Sequence, residues 1–403
     1  MTAPPLVIVA GAGMGGLTTA LALARNGFRT VVLEQAERLE ETGAGIQLSP
    51  NATRILLALG LGEQLRPHVV APEAVRVLSA RSGREIVRIP LGAAAAERYG
   101  APYWTIHRGD LQAVLAAAAR GRQDIALRLG MRVEDFAVHM NGVTVSAYGA
   151  GGIWNEHGRA LIAADGVWST ARACIGFKEA PRYTQRTAWR ALVPAKDVPA
   201  EFRAPLVQLW LGRDAHLVHY PVKGGNAVNI VAIVEDDWNA PGWSEPASRA
   251  DLLRHFSTAR WAPQAYSLLR VPEAWLKWAL LERRSLPGWS AGPTTLLGDA
   301  AHPMLPFFAQ GAAMAIEDAT VVAQCLARMP DDPAQAFKAY VAIRRGRTRK
   351  VQRLAARNGG RYHLGGPSAM VRDAAMRMIG GRGLLHSFDW LYDWRPPTPL
   401  AVA

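Results

Sequence analysis

The chain has 403 residues, 50% of them hydrophobic and 20% charged. That composition excludes a disordered or fibrous chain and suffices for one large or two ordinary folded units. The formal charge of +13 raises nucleic acid or an anionic membrane as partners. Its Arg residues are scattered, however, and the one dense run, "RRGRTRK" at Arg344–Lys350, reads as the solvated basic face of a helix. No nucleic-acid or membrane partner is therefore expected. Cys174 and Cys325 stand far apart in apolar neighbourhoods. They offer neither a disulfide framework nor a metal site, which fits a reducing, cytoplasmic compartment.

The first pattern is "LVIVAGAGMGGLTTALALA" from Leu6. It has the length of a secretion signal but no basic leader, and its glycines would weaken a spanning helix. It reads instead as strand, glycine turn and helix. Leu6–Ala10 is a short apolar run suited to a buried parallel strand, Thr18–Arg25 continues as a helix stopping near Gly27, and Thr30–Leu33 is a second strand. Gly11, Gly13 and Gly16 match GxGxxG, with Met14 and Gly15 inside the motif. The first glycine permits a tight turn, the second lets backbone N–H groups approach a pyrophosphate, and the third lets helix and strand pack closely. Glu34, followed by Gln35, closes the second strand and is placed to accept from ribose hydroxyls. An acid there disfavours a 2′-phosphate, so the ligand is FAD or NAD.

Further along, "ALIAADGVWSTAR" (160–172) is a buried strand ending in Asp165-Gly166. From Pro181 to Arg284 short alternating runs separated by turn residues replace the strand–helix rhythm and predict an antiparallel sheet. In "HLVHYPV", a period of two is expected to put His216, Val218 and Tyr220 on one face and Leu217, His219 and Val222 largely on the other. "TTLLGDAAHP" (294–303) is another buried strand, ending in Gly298-Asp299, with His302 just beyond in a structural or hydrogen-bonding role. Pro306–Ala313 then leads into a helix reaching Ala327. The region from Gln335 holds long helices and ends in "FDWLYDW" (388–394), whose large apolar groups must pack on the body or between subunits.

The glycine fingerprint, the Asp165-Gly166 strand and the Gly298-Asp299 strand together resemble the single-component FAD-dependent aromatic hydroxylases, the group containing para-hydroxybenzoate hydroxylase. "GAGIQLSPNA" (43–52), "IPLGAAAAERYGAPYWTIHRGDL" (89–111), "HLVHYPV" and "FDWLYDW" are similar to segments of its salicylate, 3-hydroxybenzoate and 6-hydroxynicotinate hydroxylase branch. The resemblance spans essentially the whole chain. It implies an α/β fold: a Rossmann-like FAD-binding domain (1–70, 101–180 and 285–330), an inserted antiparallel-sheet substrate domain (71–100 and 181–284) and a C-terminal helical region (331–403). It also implies non-covalent FAD, NADH or NADPH as co-substrate, O2, and a homodimer. The activity implied is hydroxylation of a small aromatic or heteroaromatic acid through a C4a-hydroperoxyflavin. Two rivals are a hydroxylase of a non-carboxylate heterocycle such as urate and a non-catalytic flavin- or NAD-binding regulatory protein.

Carried over residue by residue, the resemblance assigns Asp299 to the ribitol chain and Arg108 to the ribitol and pyrophosphate. It assigns Asp165 to the phosphates and the reducing nicotinamide. Gly45 and Pro306 would lie along the flavin, and the N–H groups of Gly311, Ala312 and Ala313 would face its N1–C2=O edge. His216 becomes the candidate base for a substrate hydroxyl, because a phenolate is a far better carbon nucleophile than a phenol. Tyr220 is its companion, and Gln47, Arg190, Pro306 and Phe307 are pocket candidates, Arg190 as a carboxylate clamp. Gln47 and Phe307 stand where 6-hydroxynicotinate hydroxylases carry histidines, so the substrate does not transfer from any one relative.

Overall fold

The computed structural model describes residues 4–39, 44–238 and 244–397; Gly43 of the "GAGIQLSPNA" stretch lies outside them. The Leu6–Ala10 run has no polar side to give to water, and it becomes a central strand covered on both faces. Among the described residues its sheet has six strands in the order Ser290–Ala291, Thr294–Leu296, Ala160–Ala163, Leu6–Ala10, Arg29–Leu33 and Ile125–Arg128. Parallel registers seat Val9 between Ile162 and Val32. Four neighbouring strands therefore end on one edge, and just past their ends come Gly11, Glu34, Asp165 and Asp299. The crevice outside the carboxyl ends of such a sheet is where this topology holds ligands.

A second sheet has eight strands, ordered Ser244–Ser248, Ala274–Glu282, Arg182–Pro194, Ala227–Glu235, Ala215–Val222, Leu206–Leu211, Ala74–Ser79 and Glu85–Pro90. Its pairings are antiparallel except where Leu206–Leu211 runs parallel to Ala74–Ser79. One face, with Trp189, Trp210 and Leu217, packs on the short helices Arg249–Leu253 and Pro263–Leu269. The opposite face carries Ala188 and Ile233 against Leu305 and Phe307. Tyr220 and Val222 cluster with Val207, so Val222 belongs to the His216 face and not to the face first expected; the period of two simply continues through Pro221. The result is an α/β fold in which a Rossmann-like sheet and a largely antiparallel sheet meet, closed by C-terminal helices.

Helix Gly311–Arg328 packs on Met14–Arg25, and the 30-residue helix Pro333–Tyr362 packs on it in turn. This overturns the reading of "RRGRTRK" as a solvated face. Arg344 is 0% exposed and donates from Nη1 to Glu317 at 2.5 Å and from Nε to Asp318 at 2.6 Å, while Arg347 donates to Glu317 at 2.7 Å. A charge run does not reveal that its partners lie on another helix. Cys174 is likewise exposed, not in an apolar setting. The "FDWLYDW" aromatics pack on the chain itself: Phe388 stacks on Tyr392 at 5.1 Å, and Leu391 is fully buried. No helix among the described residues is long and apolar enough to cross a membrane.

Candidate active site

The glycine turn is shaped for a backbone-to-ligand approach. Gly11 has φ +97°, and a Cβ there would stand 2.5 Å from the Ala164 carbonyl oxygen; one on Gly16 would stand 1.9 Å from the Gly11 oxygen. Gly15 packs toward Leu297 and Ala315. Gly13, the N-cap of the Met14–Arg25 helix, has nothing within 4 Å of its missing Cβ, so the first-turn N–H groups stay approachable. Glu34 accepts from the N–H of Ala12 at 2.7 Å and of Ala36 at 2.9 Å, which braces the turn and leaves a lone pair on each oxygen. Gln35 is exposed.

Three further predicted residues surround the same crevice. Asp165 accepts from the Ala171 N–H at 3.2 Å through Oδ2, while its Oδ1 is buried without a partner; burial raises its pKa. Asp299 is exposed and takes no hydrogen bond from any described residue, and the protein packed around it raises its pKa against the charges of His302 and Arg108. Arg108 starts helix Arg108–Arg120, is exposed, and faces both Asp299 and Arg190. Helix Gly311–Arg328 packs beside the Gly298–Ala300 turn that carries Asp299. The first N–H groups of Gly311, Ala312 and Ala313 have no partner within the helix. Gln310 is locked by Ser49 at 2.8 Å and Asn51 at 3.3 Å. Two turns of backbone N–H donors, a free carboxylate and an exposed guanidinium around one elongated crevice fit a dinucleotide bearing a ribitol chain and an electron-accepting ring. The donors suit its phosphates and its reduced, anionic edge.

His302 turns out to be structural. Its Nε2 lies 2.6 Å from Asp318 Oδ2, which also accepts from the Gly298 N–H at 3.1 Å. The pair holds the turn that presents Asp299.

The second half of the site is a face of the eight-stranded sheet. Register places Ala188, Ile233 and His216 in one row, Arg190, Val231 and Val218 in the next, and Leu192, Asn229 and Tyr220 in the third. His216 is 2% exposed, 5.5 Å from the Phe307 ring and 5.3 Å from the Tyr362 ring. Burial, then His363 and Arg186, lower its pKa well below the ordinary value, so the imidazole is neutral and keeps a lone pair on one ring nitrogen. Burial raises the Tyr220 pKa strongly, so it remains a phenol. Gln47 accepts from the Tyr103 hydroxyl at 2.6 Å and also faces Tyr220; the Gly45 N–H donates to Asn229 at 2.7 Å. The Gly45–Leu48 strand thus seals the Tyr220 end. Pro306 is exposed and Phe307 buried.

Arg190 lies over the Trp278 ring at 4.9 Å, with its Nε buried and unpartnered. Burial lowers its pKa to about 10, which leaves it charged at neutral pH. A recess of about 300 Å³ opens beside it, lined also by Ala44, Leu276 and Trp278. His216 and Tyr220 do not line that recess. Sequence reasoning missed Tyr103, Asn229, Gln310, Tyr362 and His363, which no motif marks and which only the packing of distant segments brings in.

An FAD-binding domain family matches residues 6–355. The chain belongs to this FAD-binding family. Over 387 residues it is 37% identical to 3-hydroxybenzoate 6-hydroxylase 1 of Aquipseudomonas alcaligenes, covering 96% of this chain and 97% of that one. A salicylate hydroxylase substrate complex superposes with TM-score 0.80 at 26% identity, covering 98% and 96% of the two chains. Klebsiella pneumoniae HpxO, complexed with FAD and uric acid, superposes with TM-score 0.83 at 26% identity and 95% coverage of each. The protein is accordingly an FAD-dependent flavoprotein enzyme of the aromatic-ring monooxygenase kind, not a regulatory binder.

Proposed function

We propose that this flavoprotein uses NAD(P)H and O2 to hydroxylate the ring of a small hydroxylated aromatic or heteroaromatic acid. The observation that carries the reading is the sheet face on which a neutral buried base, His216, a phenol, Tyr220, and an unpaired cation, Arg190, stand together. Two strand spacings and two residues separate the Arg190 and His216 Cα positions, on the order of 12 Å. Both side chains rise from the same face of the sheet. Arg190 binds the carboxylate, and His216 accepts the hydroxyl proton at Nε2 as the ring becomes a nucleophile. Tyr220 donates to the polar edge of the substrate. Phe307, Leu305 and Tyr362 exclude water around the reacting carbon. Bound FAD would supply the activation of O2 and the electrophilic character of the oxygen that is transferred. Asp299, Arg108, Asp165 and the Gly311–Ala313 N–H groups would hold the cofactor.

A second reading, hydroxylation of a heterocycle without a carboxylate, is favoured by the likeness to the uric acid complex. A screen of hydroxylated aromatic acids and of urate for stimulated NAD(P)H oxidation, with product identification, separates the two. Loss of a general base costs about 3–5 kcal/mol in the barrier. His216→Ala should therefore still oxidise NAD(P)H when substrate is added, while releasing most of the oxygen as hydrogen peroxide. Wild-type coupling in that variant would reduce His216 to packing.

We also propose a cytoplasmic homodimer. The "FDWLYDW" cluster no longer argues for one, being satisfied within the chain. Helix Gly366–His386 instead exposes Met370 (72%), Val371 (70%) and Met378 (86%), an apolar face suited to a second copy. A monomer by light scattering at micromolar concentration would remove the idea.

A further inference from the structure

His216 makes one hydrogen bond to the described residues, and it leads out of the site. Its Nδ1 lies 2.9 Å from Nε2 of His363, the C-cap of helix Pro333–Tyr362. The other His363 nitrogen, Nδ1, lies 3.5 Å from Oε1 of Glu235, at the end of the Ala227–Glu235 strand. Exposure rises along this line: His216 is 2% exposed, His363 6%, and the Glu235 side chain 48%. Three groups from three separate elements thus run in series from the buried face to the surface.

We propose that His363 and Glu235 form a proton relay that carries the substrate proton from His216 to solvent and back. The proposal rests on His216 being the base. With His216 protonated at Nδ1 and His363 at Nδ1, His216 Nε2 is the lone pair that faces the substrate. The hydroxyl proton moves to His216 Nε2, the His216 Nδ1 proton moves to His363 Nε2, and the His363 Nδ1 proton moves to the Glu235 carboxylate, which exchanges with water. Both imidazoles end neutral, and the charge left inside is the negative one on the substrate oxygen. When the product hydroxyl is reprotonated, the same three transfers run in reverse and restore both tautomers.

The surroundings explain why a relay is needed. An imidazolium at His216 would sit in a dry pocket between Phe307 and Tyr362, facing Arg186, which lies 5.6 Å over the Phe307 ring. Burial and the Arg186 charge lower the His363 pKa to about 4, with Asp214 opposing. Neither ring would keep a proton taken from a hydroxyl whose own pKa is near 10, so a lone histidine here would be a poor base. Passing the proton on through an exposed carboxylate to water leaves no imidazolium in the pocket. Arg186 lies 3.7 Å from Glu235, at the solvent end of the line. The 3.5 Å contact is long, as contacts of working sites commonly are before substrate tightens them.

The test uses the oxidised FAD-loaded enzyme and needs two readouts. Nitrogen NMR of histidine-labelled enzyme reports tautomers without substrate: His216 and His363 should both carry the proton on Nδ1. A His363 protonated at Nε2 instead would overturn the relay. Stopped-flow mixing with 3-hydroxybenzoate and a pH indicator in weak buffer reports proton release. Glu235→Gln, a surface change that leaves the fold intact, and His363→Gln should slow that release at least about tenfold without weakening binding. Added imidazole should restore the rate in both. Wild-type release in both variants, with slowed release in His216→Ala, would refute the relay and keep the base. Wild-type release in His216→Ala as well, or no release from the wild type, would refute the base and the relay with it.

Discussion

Asp318→Asn tests how the buried charges hold the cofactor turn. Asp318 is fully buried; its Oδ1 accepts from Arg344 Nε at 2.6 Å, and its Oδ2 from His302 at 2.6 Å and from the Gly298 N–H at 3.1 Å. Burial alone would raise this carboxyl, but His302 and Arg344, by charge and hydrogen bond, more than reverse it and hold it at about 2. An unfolded Asp titrates near 3.9, so the difference of roughly two units is worth roughly 2–3 kcal/mol. Because the folded pKa is the lower one, that stability is fully present above about pH 4 and drains away as the pH falls toward 2. Asparagine keeps the shape but turns an NH2 toward groups that donate, and it leaves Arg344 one carboxylate short. Breaking a buried ionic cluster in this way costs about 3–5 kcal/mol at neutral pH. Denaturant unfolding of the two proteins at pH 7, and again in steps from pH 6 to pH 2, measures both quantities. The gap at pH 7 should be of that size and should shrink by roughly 2–3 kcal/mol on acidification. A gap below about 1 kcal/mol, the scale of an ordinary substitution, or one that does not shrink with acid, would refute the reasoning.

Two other outcomes follow from the site. Asp299→Ala removes the accessible carboxylate at the crevice floor and should weaken FAD retention about ten- to a hundredfold, as loss of a charge-assisted hydrogen bond does; unchanged flavin stoichiometry and affinity after desalting would count against its role. His219 lies on the opposite face from His216, 5.3 Å from Phe202, with both ring nitrogens buried and unpartnered. Burial, then Arg76, lowers its pKa to about 3, so His219→Leu should leave coupling untouched and hold or raise the unfolding midpoint. A loss of coupling there would mean that the two faces of the strand had been assigned the wrong way round.

Local rules carried the nucleotide half of this protein. The turn at Gly11, the helix packing at Gly16 and the acids after each buried strand are demands of backbone geometry, and those demands are met within a few residues of chain. The strand period likewise separates His216 and Tyr220 from His219 without any knowledge of the fold, and it continues unbroken through Pro221 to Val222. What lay beyond sequence reading were pairings between segments far apart in the chain. "RRGRTRK" reads as a solvated run until helix Gly311–Arg328 sets Glu317 and Asp318 against Arg344. Nothing local ties His363 to His216, 147 residues away. Their meeting depends on where a 30-residue helix ends over a strand of the second sheet. Burial has the same origin: identical imidazoles in one strand acquire different surroundings, because tertiary packing alone decides which charges face each ring and how much water reaches it.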